Sequence, residues 1–164
     1  MPQRRAIIGI ITSCAFVLHL SSAAKAQPAT ATVLDGVNVI EKPGCLLIEV
    51  QFALPMQYEW HFPYRSGEEL RIRIKPIVLD QGAPSTLTQR EATVPRLTRG
   101  AALLGVDLME VAYEGDVADG PYLTLLFRNP VAFKVAQGKD FRSIIIASPG
   151  PEASESCKPD LPAD

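Results

Sequence analysis

Four groups of side chains in this sequence have the chemistry to act on or hold another molecule. The first is His61 with Ser66 and Glu68 close behind it. Nucleophilic catalysis needs a hydroxyl or thiol beside a base, and the base oriented by an acid. Closeness in sequence within one loop supplies the residue types without the geometry, and His61 reads more simply as a surface histidine at a strand end. The second is the carboxylate pair Glu68 and Glu69, a pairing that cleaves glycosidic bonds when both groups converge. Adjacent strand residues point to opposite faces, so this pair reads as a solvated turn. The third is an acidic stretch holding Asp107, Glu110, Glu114, Asp116 and Asp119. It lacks the twelve-residue calcium loop and reads as a hairpin turn. The fourth is a set of arginines, Arg65, Arg71, Arg73 and Arg142, with Trp60 and Tyr64 nearby. A guanidinium forks onto carboxylates, and aromatic rings stack on sugars. The competing reading of the arginines is a solvent face whose charges keep a sheet edge from aggregating. No Cys-x-x-Cys is present, and His61 is the only histidine after His19, so no metal site is expected. The expectation is a binding protein without catalytic residues, cofactor or metal.

These side chains need strands to place them. Leu46, Ile48, Val50 and Phe52 recur with period two, as do Leu70, Ile72 and Ile74 between Arg71, Arg73 and Lys75. The second run predicts a half-buried strand with a basic outer face. Met56, Tyr58, Trp60 and Phe62 alternate after Pro55 and are expected on one face. Further strands are expected over 33–40, 107–113, 122–127, 131–135 and 141–147, about eight in all. Between them, a turn at 80–84 and a short helix over 85–91 capped by Ser85 form a crossover. The fold class expected is all-β, a sandwich.

The two halves of the chain resemble each other. Ile48-x-Val50-x-Phe52-x-x-Pro55-Met56-x-Tyr58-x-Trp60 matches Leu123-x-Leu125-x-Phe127-x-x-Pro130-Val131-x-Phe133-x-Val135 at a constant offset of 75. Leu70-Arg71-Ile72 then aligns with Phe141-Arg142-Ser143 if the second loop is four residues shorter. Proline cannot donate to a ladder, so it marks the corner between two strands. Each half therefore reads as strand, corner, strand, loop, strand, and is expected to form one three-stranded sheet facing the other.

The N-terminus reads as a signal peptide over residues 1–26. Arg4 and Arg5 precede an apolar run from Ala6 to Leu20, and Ala24-Lys25-Ala26 fits a cleavage site. The run is shorter than a bilayer span, so no stable membrane span is expected after cleavage. A retained anchor and a lipoprotein anchored at Cys14 are the alternatives. Cleavage removes three of the 16 bases and no acid, leaving 13 against 18 acids and a formal charge of −5. Nucleic acid is not an expected partner. The remaining length suits one domain, expected over 33–147, with a Pro-rich tail over 148–164. Cys45 and Cys157 survive cleavage, and an even pair in an exported chain favours a disulfide.

The stretches 45–77 and 121–147 resemble AMIN-type domains, exported β-sandwich modules of bacterial envelope proteins. The likeness lies in the hydrophobic strand, the short corner, and the run Leu70-Arg71-Ile72-Arg73-Ile74. Tyr113-Glu114-Gly115-Asp116 and the segment from Phe133 to Ser143 add to it. It covers about 100 residues. It implies a non-catalytic periplasmic module that binds peptidoglycan or envelope proteins. Arg71, Arg73 and Arg142 would then meet the peptide-stem carboxylates, with Trp60 and Tyr64 against the sugars. AMIN-type domains usually accompany a second functional domain, whereas only the Pro-rich tail follows here. The alternative is an assembly factor that docks proteins through a strand edge.

Overall fold

A computed structural model of the chain describes residues 32–77, 85–97, 99–150 and Cys157. The expected signal peptide, Cys14, the turn at 80–84 and most of the C-terminal tail lie outside the described residues. The described chain is an all-β sandwich. Its strands are β1 (Leu34–Lys42), β2 (Cys45–Phe52), β3 (Met56–Phe62), β4 (Ser66–Pro76), β5 (Arg90–Thr93), β6 (Leu108–Glu114), β7 (Tyr122–Ala132), β8 (Lys134–Gln137) and β9 (Ser143–Pro149). They form a four-stranded sheet ordered β1-β2-β9-β8 and a five-stranded sheet ordered β3-β4-β7-β6-β5. Every pairing is antiparallel. No helix among the described residues is long and apolar enough to cross a membrane.

Period-two alternation builds the core. Leu46, Ile48, Val50 and Phe52 of β2, Leu70, Ile72 and Ile74 of β4, and Leu123, Leu125 and Phe127 of β7 are all buried. With Val111 and Tyr113 of β6 and Ile144 and Ile146 of β9, they form one cluster between the sheets. Burial of an aliphatic or aromatic side chain contributes about 1.5–3 kcal/mol, so these strands are fixed in register by their inner faces.

The two halves do not each form a sheet. β2 lies in the four-stranded sheet, while β3 and β4 lie in the five-stranded one; β7 lies in the five-stranded sheet, while β8 and β9 return to the other. The first half crosses between sheets at its proline corner, Pro55, whereas Pro130 lies inside β7, which pairs with β4 as far as Ala132, so the second half crosses in the opposite direction at Phe133 rather than at the expected corner. As a result β2 pairs with β9 and β4 with β7. The pairings also give the internal register. Val50 faces Ile144 and Ile48 faces Ile146, while Leu125 faces Leu70 and Leu123 faces Ile72. Leu70 and Ile72 therefore correspond to Ile144 and Ile146, and Arg71 corresponds to Ile145 rather than to Arg142. The expected strand over 141–147 begins instead at Ser143, because Phe141 is exposed with φ of 58° and turns the chain. β9 runs on to Pro149, past the expected domain end, and the Gly150 N–H donates to the Gly44 carbonyl at 2.9 Å.

The crossover also departs from the expected short helix over 85–91. A single 3₁₀ turn, Ser85–Thr88, is followed by β5, and a five-residue helix α1 spans Arg99–Leu103. Arg90-Glu91-Ala92-Thr93 has no apolar alternation to announce a strand. Its place is set by backbone pairing with β6 and by Glu91, whose carboxylate accepts the N–H groups of Val33 and Leu34 at 2.7–2.9 Å. This carboxylate joins the start of β1 to the other sheet.

Tyr113 fixes the 3₁₀ turn from below. Its hydroxyl, inside the core, donates to the Leu87 carbonyl at 2.8 Å. Burial, then the Glu91 charge, pushes its pKa from 10.0 to about 12. The unfolded chain ionises first, so this contribution to stability is fully present below pH 10 and is lost as pH rises toward 12. Tyr113→Phe removes the ionisation and leaves the Leu87 carbonyl without its partner, at a cost of about 1–2 kcal/mol near neutral pH. Urea denaturation across the alkaline range is expected to show a shallower loss of stability in the variant.

Candidate functional site

The outer face of the five-stranded sheet carries an organised cluster, and a bulge creates it. β3 begins with Met56 and Tyr58 directed inward. Its pairing with β4 slips between Tyr58 and Trp60, so that Tyr58 faces Ile74 but Trp60 faces Arg73. The extra residue, Glu59, inverts the alternation. Trp60 and Phe62 are therefore turned outward, and the half-buried His61 is turned in. This corrects the expectation that Met56, Tyr58, Trp60 and Phe62 share a face.

Cross-strand register then assembles two rows. In one, Trp60, Arg73, Tyr122, Glu114 and Arg90 stand opposite one another across β3, β4, β7, β6 and β5. In the next, Phe62, Arg71, Thr124, Ala112 and Ala92 do the same. Directly opposed side chains are the unit of interaction in a sheet. Trp60, Phe62, Tyr64, Arg71 and Tyr122 line an open cleft of about 650 Å³. Trp60 is 45% exposed, Phe62 63% and Tyr64 72%, so three aromatic rings are presented to solvent side by side. Trp60 meets Tyr122 edge-on at 5.9 Å between ring centroids, and Phe62 meets Tyr64 edge-on at 6.3 Å. Edge-on packing fixes rings while leaving faces open.

The arginines of this face are already engaged. Glu114, whose side chain is 10% exposed, accepts Arg71 Nη2 at 3.1 Å, Arg90 Nη1 at 2.7 Å and the Thr124 hydroxyl at 3.1 Å. Arg73 Nε donates to Glu59 at 3.3 Å. Glu69 lies 3.9 Å from Arg71, and Glu110 3.9 Å from Arg90. The Arg71 and Arg73 guanidinium carbons sit 4.4 and 5.2 Å from the Tyr122 ring centroid, a cation–π arrangement. Arg71 Nε and Arg73 Nη1 are buried without a hydrogen-bond acceptor among the described residues. The expected half-buried strand with a basic outer face is β4, where Arg71, Arg73 and Lys75 alternate with buried Leu70, Ile72 and Ile74, and carboxylates of the sheet pair its two arginines. Glu110 lies in the strand expected over 107–113, and that strand, β6, runs on to include Glu114. Their outward alternation on β6 opposite β7 was the signal in the sequence. Glu68 and Glu69 lie on β4 rather than in a turn.

Trp60, Tyr64, Arg71 and Arg73 are therefore brought together, joined by Phe62, Tyr122 and Glu114. Arg142 is not among them. It stands in the β8–β9 loop, where its backbone N–H donates to Asp140 at 2.9 Å and its Nη1 to the Ala53 carbonyl at 3.0 Å. It lines a separate cleft of about 630 Å³ with Asp35, Glu49, Gln51 and Lys139. His61 lies at the end of β3, as expected, and is half-buried; its Nδ1 is 2.7 Å from the Tyr58 hydroxyl, whose pKa is raised by burial and then by Tyr64. No cluster able to hold a metal ion occurs among the described residues.

Cys45 and Cys157 form a disulfide with Cα atoms 5.4 Å apart. Cys45, Leu47, Ala147 and Cys157 make a second buried cluster, on the outer side of the four-stranded sheet. The outer faces of the two sheets therefore differ. One is tied to the C-terminal segment, and the other presents open aromatic rings. Comparison with protein-family models, characterised proteins and solved structures gives no match for this chain.

Proposed function

We propose that this chain is an exported, non-catalytic module of the bacterial cell envelope, acting in the periplasm. In this reading it binds peptidoglycan through the outer face of the five-stranded sheet. The observation that carries the proposal is the set of exposed rings of Trp60, Phe62 and Tyr64 on a sheet face whose arginines are ion-paired. Large rings held open by neighbouring rings and ion pairs form a platform of the kind that packs against sugars. The disulfide supports an oxidising compartment, as do the N-terminal signals in the sequence. The AMIN-type resemblance agrees with the same reading.

The test is sedimentation of the purified protein with isolated peptidoglycan. The wild type is expected in the pellet, and a Trp60→Ala, Phe62→Ala variant in the supernatant. Both side chains point away from the core, so the variant is expected to keep its circular dichroism spectrum. A wild type that stays in the supernatant would move the reading to protein docking through a strand edge. Two edges end the five-stranded sheet, at β3 and β5, and β1 and β8 end the other. The nine-residue β1 is long enough to template an added strand.

A further inference from the structure

We infer that the cleft recognises the uncharged glycan backbone of the wall polymer, by stacking, and not its anionic peptide stems. This rests on the peptidoglycan reading above and refines it. Three observations lead here.

The first is charge. A site for stem carboxylates needs guanidinium forks free to engage them. Here Arg71 and Arg90 share Glu114, and Arg73 is held by Glu59. With Glu69 and Glu110 added, four carboxylates stand against the three guanidiniums and the exposed Lys75. An incoming carboxylate would have to share a guanidinium with a resident carboxylate, at a face that carries no excess positive charge.

The second is shape. Trp60 and Phe62 stand two residues apart on one strand face, about 7 Å, a spacing on the scale of one pyranose unit. Tyr64 follows them beyond the strand end. The C–H faces of a pyranose carry partial positive charge and pack on the negative faces of aromatic rings. The exposed carboxylates of Glu59 and Glu69 at the margin supply acceptors for hydroxyl and amide N–H groups.

The third is size. A cleft of about 650 Å³ lined by five residues falls within the range of small-ligand sites. A stable protein partner needs roughly 800 Å² on each side and about 20–30 residues. The cleft fits a short run of sugar residues, not a folded partner.

The experiment compares three probes on the purified protein: intact peptidoglycan, glycan strands stripped of stems by an amidase (which leaves one freed carboxylate where each stem was attached), and free stem peptide. Chito-oligosaccharide serves as a soluble titrant followed by tryptophan fluorescence, since Trp60 is the only tryptophan. Intact and stripped strands are expected to bind alike, and the stem peptide not to compete. Affinity is expected to change little between about 50 mM and about 500 mM salt, a range that screens exposed charge pairs strongly. Trp60→Ala is expected to weaken binding about tenfold or more, the scale of losing one stacked ring. Trp60→Tyr, which keeps a ring, is expected to restore most of it. Intact peptidoglycan bound while stripped strands are not, or competition by stem peptide, overturns the glycan assignment and leaves the peptidoglycan reading standing. No binding to either polymer overturns both.

Discussion

Replacing Cys45 and Cys157 together by serine is expected to lower stability by about 3–5 kcal/mol. The two residues are 112 apart in sequence, so the bridge closes almost the whole folded chain. A cross-link of that span restricts the unfolded ensemble strongly. The native side adds to the effect, because both cysteines are buried with Leu47 and Ala147. Serine at either position would place a hydroxyl in that apolar cluster. For a domain of this size the loss corresponds to a fall of about 10–20 °C in melting temperature. Thermal denaturation of the wild type with and without reductant, beside the double variant, checks it. A fall below about 5 °C would mean that the bridge adds little to the sandwich.

The second large effect is expected at Gly115. Its N–H donates to the Gln89 carbonyl at 3.0 Å. A Cβ built there lands on the Leu87 carbonyl oxygen and 2.8 Å from that of Gln89. Both obstacles are backbone, held in turn by the Tyr113 hydroxyl and by the β5–β6 pairing. Gly115→Ala is expected to cost about 3 kcal/mol, at the upper end for overpacking. Two controls separate steric from conformational effects. Gly105 has φ of 73° with nothing near its would-be Cβ, so Gly105→Ala is expected to cost about 1–2 kcal/mol from backbone strain alone. Gly36 has only the Gln51 side chain at 3.7 Å, and its substitution by alanine is expected to be nearly neutral. Urea midpoints of the three variants give the order. Displacement of the 3₁₀ turn in Gly115→Ala would also weaken the seat of Arg90 against Glu114.

What the sequence disclosed follows from what alternation encodes. Period two identifies strands and their buried faces, and so β2, β4 and β7 were legible, with the core they share. It does not encode which sheet a strand joins. The corner at Pro55 was therefore visible as a corner, while the crossing made there, and the one at Phe133 beyond the in-strand Pro130, were not. Nor does alternation register an inserted residue. The bulge at Glu59 leaves Met56, Tyr58, Trp60 and Phe62 looking like one face although two of them point outward. The third strand of the second half was displaced for a similar reason. Phe141 is apolar and placed in phase, but it belongs to a turn, so the sequence alignment drew Arg142 into the position that Ile145 occupies. The candidate site was partly legible because Trp60, Tyr64, Arg71 and Arg73 lie within 14 residues. Its other half was not, since Tyr122 and Glu114 arrive only through the pairing of β7 with β4 and β6.

The exchange of strands between the halves bears on how this protein acquires its fold. Neither half can close a sheet alone, because β2 needs β9 and β4 needs β7. Val50 must find Ile144, 94 residues away, before the four-stranded sheet has a centre. Pairings of such long separation make folding slow. A growing chain therefore holds β2 without β9, and β4 without β7, until those later strands have been made. Structure then forms as one event rather than half by half.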